Sequence, residues 1–181
     1  IVRFSDLTPR PWPNGRGITR DVANLRSSDG SYDWLISIAE LVEDVEFSHY
    51  AGCDRIFTLI GANPVDLHIS GLSPLRCNPL VPSWFPGDRP TRCALAGGPS
   101  RAFNVIISRA RMRGTVSTVV MAHDHTISVP TEALYFAEKI AIVSIAHKET
   151  DPKILRDVNR AIDIICSTIR LRTALDAPAA P

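Results

Sequence analysis

The strongest constraint on the fold is a stretch of alternating residues over positions 33–61. Trp34, Ile36 and Ile38 alternate with smaller or more polar residues, which is the two-residue period of a β-strand. Residues 56–60 form a second β-branched and aromatic run, which a Gly-Ala-Asn-Pro turn ends. The small and polar residues on the first strand favour a cavity wall, because a packed β core would normally carry bulkier side chains there.

Short strands separated by glycine- and proline-rich turns continue along the chain. Further strands are predicted at residues 18–25, 65–69, 92–107, 116–120, 126–129 and 139–145. One amphipathic helix is predicted at residues 152–172, where Asp151 is the N-cap and Pro152 the first helical residue. The pattern predicts a mainly β sandwich or barrel with one C-terminal helix.

Arg109, Arg111 and Arg113 occur at every second position. This spacing is compatible with an anion-binding stripe or with the solvated outer face of a strand, and the solvated face is the simpler interpretation.

Charge and cysteine content limit the function classes. The formal net charge is +1, which gives no reason to expect nucleic acid or an anionic membrane as a partner. No apolar run approaches the ~18 residues of a membrane-spanning helix. The four cysteines form no C-x-x-C motif, which is typical of reduced thiols. We therefore expect a cytoplasmic protein.

Four sequence blocks resemble the HutD/Ves family of bacterial cupin-type proteins. Residues 11–20 resemble its P-W-K-N-G-G-G-x-T-R block, and residues 34–55 carry W-x-I-S-I-A-E followed by F-S-x-x-x-G-x-D-R. Residues 85–88 match F-P-G-D, and residues 95–105 resemble L-x-x-G-P-x-x-D-F-N-V. The blocks occur in family order, and together they make a specific signal.

The resemblance implies a cupin-like jelly roll, with two cupin halves forming a bicupin. On this basis residues 1–181 form a single compact unit. Its predicted halves are residues 1–75 and 92–150, joined by a proline-rich connection at residues 71–92. No internal repeat is visible in the sequence, so the two-half architecture comes from the resemblance alone.

A metal site is the main catalytic possibility to weigh. His123 and His125 have the two-residue spacing of metal-binding cupins, but Glu132 follows too late for the usual carboxylate ligand. No nucleophile elbow, phosphate-binding loop or H-E-x-x-H motif is present. We expect no metal, no cofactor and no catalytic residue.

A small polar pocket is the remaining candidate site, with Arg55 as its anchor. A guanidinium group binds a carboxylate through two parallel hydrogen bonds. The alternative is that Arg55 and Asp54 form only a structural turn pair. The expected ligand-binding residues are Asn14, Thr19, Trp34, Ser37, Asp54, Arg55, Phe57, Phe103 and Asn104.

The resemblance connects the chain with histidine utilisation. It implies a non-catalytic, cytoplasmic binding protein for a small carboxylate, in the class of urocanate or formiminoglutamate, that modulates this pathway. One alternative is a cupin-type isomerase or hydrolase acting on a similar molecule. Another is an interaction module that forms a homodimer through the helix at residues 153–172.

The sequence departs from the family pattern at four positions. The family carries Lys and Gly where this chain has Pro13 and Arg16, and it carries Arg and Asp where this chain has Leu35 and Ala102. Losing a basic and an acidic residue together suggests that positions 35 and 102 face each other in relatives. The pocket of this chain is therefore expected either to suit a less polar ligand or to have a weakened binding function.

Overall fold

The computed structural model describes residues 4–118, 133–136 and 141–147. A short 3-10 helix at Phe4–Asp6 precedes the strands. The strands are β1 (Pro9–Pro11), β2 (Ile18–Arg26), β3 (Tyr32–Leu41), β4 (Val45–Glu46), β5 (Cys53–Leu59), β6 (Val65–Ile69), β7 (Leu75–Cys77), β8 (Ser83–Pro86), β9 (Thr91–Leu95), β10 (Ser100–Ser108), β11 (Met112–Thr118), β12 (Ala133–Phe136) and β13 (Ala141–His147). The prediction of a mainly β protein is confirmed.

Eight strands, β3 to β10, form a jelly roll. One sheet has the order β1-β2-β3-β10-β5-β8, and a second has the order β4-β9-β6-β7. Within the roll, β3-β10-β5-β8 faces β4-β9-β6-β7, which is the strand order that two nested Greek keys produce. All pairs between these strands are antiparallel.

The six-stranded sheet buries both faces of its central strands. Successive side chains on β3, β5 and β10 point to opposite faces. One face packs Trp34, Ile36 and Phe103 together with Met112 of β11. The other face packs Phe57 and further apolar residues against the four-stranded sheet. The residues of both faces are therefore buried, although the sequence still alternates.

The proline-rich region predicted as a connection contains strands of the roll. Residues 71–92 were expected to be an irregular connection, but they contain β7, β8 and the start of β9. β9 and β10 then complete the same roll as β3 to β6. The five prolines of residues 71–92 do not prevent this, because β7 and β8 are short strands at sheet edges, where prolines are tolerated.

A third sheet follows the roll, with the order β11-β13-β12. The predicted helix at residues 152–172, Cys166 and the predicted strand at residues 126–129 lie outside the described residues. Within the described ranges, no helix is long and apolar enough to cross a membrane.

The arginines near the end of β10 do not form the solvated strand face that was predicted. Arg109 lies in the turn after β10, where its Nε donates to Asp54 Oδ1 at 2.8 Å and its Nη1 to Asp88 Oδ2 at 2.9 Å. Arg111 donates to Asp33. Arg109 and Arg113 are both exposed, but Arg113, on β11, forms no ion pair with any of the described carboxylates. Arg109 and Arg111 therefore tie the turn to neighbouring strands.

Arg109→Met is expected to lower the free energy of unfolding by about 1–2 kcal/mol at pH 7, since it leaves the buried Asp54 carboxylate without this ion pair. Urea denaturation measures the loss. Arg113→Met is the matched control and should change stability by less than about 0.5 kcal/mol. Equal stability of the two variants would contradict a structural role for Arg109.

The cost of Arg109→Met should shrink in acid. The hydrogen bond from Arg109 lowers the pKa of Asp88 below its ordinary value. A lowered carboxyl pKa stabilises the fold above the unfolded-state pKa of about 4, and this stabilisation is lost as pH falls through the folded-state value. Stability measured between pH 7 and pH 3 should therefore converge for wild type and variant.

Candidate functional site

A small cavity lies between the two sheets of the jelly roll. Its volume is about 20 Å³, which is room for one or two water molecules. Its polar lining residues are Thr19, Ser37, Ser48, Tyr50, Arg55 and Asn104, and its apolar lining residues are Trp12, Ala39, Leu41, Phe47, Phe57 and Ile106.

Strand register brings the polar residues together on one face of the six-stranded sheet. Asn104 on β10 lies opposite Ser37 on one side and Phe57 on the other. Ile106 lies opposite Arg55, so Arg55 is a diagonal neighbour of Asn104 on the same face. Thr19 on β2 lies opposite Ala39, and its hydroxyl donates to the carbonyl of Ile38 at 3.0 Å.

Arg55 is the dominant charge of the cavity. Its residue is 5% exposed, and its guanidinium donates to the carbonyl oxygen of Ser48. The rings of Phe47 and Tyr50 lie 5.0 and 4.9 Å from the guanidinium carbon. None of the described carboxylates forms an ion pair with it. Burial lowers the pKa of Arg55 to about 10, so the group remains cationic at neutral pH.

Asn104 is a second buried polar group that faces the cavity. Its residue is 5% exposed, and its Oδ1 has no hydrogen-bond partner in the described part of the chain. A buried amide oxygen without a donor costs free energy, so the position is unfavourable unless a ligand or solvent supplies one.

Two loops contribute lining residues to the cavity and contact each other, and we call this junction the mouth of the cavity. The first carries Trp12, whose ring packs edge-on against Phe47 of the second at a centroid distance of 5.8 Å. Gly17 permits this packing, because a Cβ at that position would lie 2.6 Å from the Trp12 ring. Asn14 joins the loops: its Nδ2 donates to the Glu46 carbonyl at 2.8 Å, and its backbone N donates to Ser48 Oγ at 3.3 Å.

Asn14→Ala is expected to loosen the two loops and to lower the free energy of unfolding by about 1 kcal/mol, because it removes the side-chain bond to Glu46. Hydrogen exchange of the amides at residues 46–48 should become faster.

Asn63→Ala is the matched control for this variant. Asn63 likewise donates to a backbone carbonyl across two loops, that of Pro99 at 2.8 Å, but it is not part of the cavity. Asn63→Ala should leave hydrogen exchange of the amides at residues 46–48 unchanged. Equal exchange in the two variants would mean that Asn14 does not hold the mouth of the cavity.

The structure brings together five of the nine predicted site residues. Thr19, Ser37, Arg55, Phe57 and Asn104 line one cavity.

The other four predicted residues lie elsewhere. Asn14 joins the loops at the mouth. Trp34 and Phe103 belong to the apolar cluster on the opposite face of the sheet, so they are not walls of the cavity. Asp54 also points away from Arg55 and pairs with Arg109, which excludes the predicted pair of Asp54 and Arg55.

Sequence reasoning missed the aromatic side of the cavity. Trp12, Phe47, Ser48 and Tyr50 line the cavity but are not among the nine residues predicted from the sequence. Phe47 and Ser48 are the first two letters of the F-S-x-x-x-G-x-D-R block, which was the available signal. Their contact with Arg55 arises because this loop folds over the start of β5.

The described residues offer little support for metal binding or for a reactive thiol. No group of three His, Cys, Asp or Glu side chains among them is placed to bind a metal ion; His123, His125 and Glu132 lie outside these residues. Burial raises the pKa of the Cys93 thiol to about 12, so this thiol is protonated at neutral pH.

Comparison with known proteins identifies the family. The family model described as HutD matches residues 4–172. A Pseudomonas putida relative, described as an uncharacterized 21.2 kDa protein in the hutC 3′ region, is 30% identical over 151 residues, which are 82% of this chain and 79% of the relative. Protein Ves of Cronobacter sakazakii is 32% identical over 119 residues, or 64% of this chain and 65% of that protein.

A solved structure agrees with this match. HutD from Pseudomonas fluorescens SBW25, described with a formate condition, superposes with a TM-score of 0.65 at 27% identity and covers 81% of this chain and 97% of its own. The family model spans most of the sequence, and the chain belongs to the HutD/Ves family.

Proposed function

We propose that this chain is a non-catalytic, cytoplasmic binding protein for a small carboxylate. The observation that carries the proposal is the buried guanidinium of Arg55, which faces a cavity and has no carboxylate partner among the described residues. The rings of Phe47 and Tyr50 lie close to the guanidinium, and the carbonyl of Ser48 accepts one of its hydrogen bonds. An anion bound to the guanidinium would supply the missing charge partner.

The size of the cavity limits what can enter it. A volume of about 20 Å³ accepts a carboxylate group but not a whole urocanate or formiminoglutamate molecule. Such a ligand would place its carboxylate at Arg55 and extend through the mouth between the loops that carry Trp12 and Phe47. Opening of this mouth is then part of binding, which makes the protein one of the substantial minority whose loops rearrange when they bind a partner.

Membership of the HutD/Ves family supports a role in modulating histidine utilisation, with the ligand acting as the signal. We further propose that β11, β12 and β13 begin the second half of a bicupin and that residues 152–172 form the amphipathic helix indicated by the sequence. A homodimer formed through that helix is compatible with this arrangement.

Thermal unfolding with and without ligand tests the proposed function. Formate, acetate and urocanate should each raise the Tm. Formamide and acetamide should not, because they match formate and acetate in shape but lack the charge. Ligand at 100 times its Kd adds about 2.7 kcal/mol of stability. Equal effects of acids and amides would contradict the proposal, and formation of a product in the urocanate sample would favour the enzyme alternative.

A further inference from the structure

Asn104 indicates what the ligand carries besides its carboxylate. Its Oδ1 is fully buried and has no donor within the described residues, and Asn104 is one of the residues that line the cavity. Thr19 cannot serve as that donor while its hydroxyl donates to the Ile38 carbonyl. A ligand that displaces water from the cavity without offering a donor would leave Oδ1 unpaired, which costs affinity.

The donor on the ligand must be close to the carboxylate. Arg55 and Asn104 are diagonal neighbours on adjacent strands, about 7–8 Å apart at the backbone, and both side chains point into the same cavity. A cavity of about 20 Å³ leaves no room for a long spacer between the two groups. A donor on the carbon next to the carboxylate meets both requirements. It can reach Asn104 while the carboxylate pairs with Arg55, and it needs no long spacer.

The donor must also be neutral. Among the described residues, those that line the cavity include the cation Arg55 and no aspartate or glutamate. An ammonium group on the ligand would lie beside this cation without a carboxylate to pair with, which is unfavourable in a site that excludes water. A hydroxyl group is the smallest neutral donor.

We propose that the site selects a carboxylate with a hydroxyl on the adjacent carbon, whose carboxylate pairs with Arg55 and whose hydroxyl donates to Asn104 Oδ1. This inference rests on the proposed function, because it takes carboxylate binding at Arg55 as given. It makes Asn104 the residue that determines which carboxylates bind.

Calorimetric titration with glycolate, acetate and glycine tests the inference. Glycolate and acetate differ by one hydroxyl, so glycolate should bind the wild-type protein about tenfold more tightly, as expected for one satisfied hydrogen bond to a buried acceptor. Glycine should bind more weakly than acetate. Asn104→Leu, which keeps the shape and removes the acceptor, should bring the ratio of glycolate to acetate affinity close to one.

Thr58→Val is the matched control. Thr58 Oγ1 is also buried without a partner among the described residues, but Thr58 lies beside Phe103 and does not line the cavity. This variant should keep the tenfold preference. If Asn104→Leu keeps it as well, Asn104 is not the selecting residue and the inference is wrong.

The outcomes separate the inference from the function on which it rests. Equal wild-type affinity for glycolate and acetate would overturn the inference and leave carboxylate binding intact. Failure of both acids to bind would overturn the proposed function and the inference with it. Circular dichroism shows whether Asn104→Leu folds. If it does not, the ratio of glycolate to acetate affinity of the wild-type protein tests the inference by itself.

Discussion

Replacing Arg55 with methionine should strongly weaken carboxylate binding and make the unliganded protein more stable. Methionine fills a similar volume beside the rings of Phe47 and Tyr50 but carries no charge. Loss of the paired, buried guanidinium should weaken binding of formate or acetate by about 2–4 kcal/mol. Calorimetry measures this loss, and Arg55→Lys, which keeps a charge but not the two-pronged geometry, is the control with an intermediate affinity.

The gain in stability follows from the burial of a cation that has no carboxylate partner among the described residues. Burial lowers the pKa of Arg55 to about 10, so the charged form costs the folded state about 3 kcal/mol relative to the unfolded chain. The unfolded chain keeps this proton to a higher pH than the folded one. The penalty is therefore complete below about pH 10 and decreases only above it.

Urea denaturation at pH 7 without ligand should show that Arg55→Met raises the free energy of unfolding by about 1–3 kcal/mol. This gain is net of the stabilisation lost with the hydrogen bond to Ser48 and the contacts with the two rings. A less stable Arg55→Met protein with unchanged carboxylate affinity would contradict both halves of the prediction. It would mean that Arg55 is a structural residue rather than the anchor of the site.

Alternation along the strands predicts much of the site, because it fixes which residues share a face. Ser37 lies on the face of Leu35 and Ala39, and Trp34 on the other. The same rule separates Phe103 from Asn104 and Asp54 from Arg55, since neighbours in a strand point in opposite directions. Two neighbouring residues of one strand cannot both face the cavity, so the predicted site was incompatible with the predicted strands at these pairs. The structure places one member of each pair outside the cavity.

The partners of these residues could not be read from local sequence. Asp54 and Arg109 are 55 positions apart, and they meet because β10 returns beside β5. Phe47 and Trp12 come from separate loops that meet only when the roll closes. A local pattern specifies strands and faces, whereas strand order depends on long-range pairing.

The second large effect concerns the positions at which this chain departs from its family pattern. Register contradicts the expectation that positions 35 and 102 face each other. Leu35 pairs with Ile106 and Ala102 pairs with Ala39. They share a sheet face but are four residues apart along the strands, about 13 Å. A basic and an acidic side chain at these two positions would not form a close pair.

Leu35→Arg and Ala102→Asp should each destabilise the protein by about 3–5 kcal/mol, because each buries a charge without a partner at a position that is now fully buried. Leu35→Arg adds a second cation in the row that contains Ile106 and Arg55, two strands from the first. The costs should add to within about 0.5 kcal/mol, as they do for sites more than about 10 Å apart.

Urea denaturation of the two single variants and the double variant decides between additivity and pairing. If the two costs add, the double variant is less stable than either single variant. A double variant that does not fold is also consistent with additive costs. Leu35→Met and Ala102→Gly are neutral controls for the changes in shape. A double variant more stable than both single ones would mean that the two charges meet across the cavity. It would restore the expectation that relatives hold an ion pair which this chain has replaced with apolar residues.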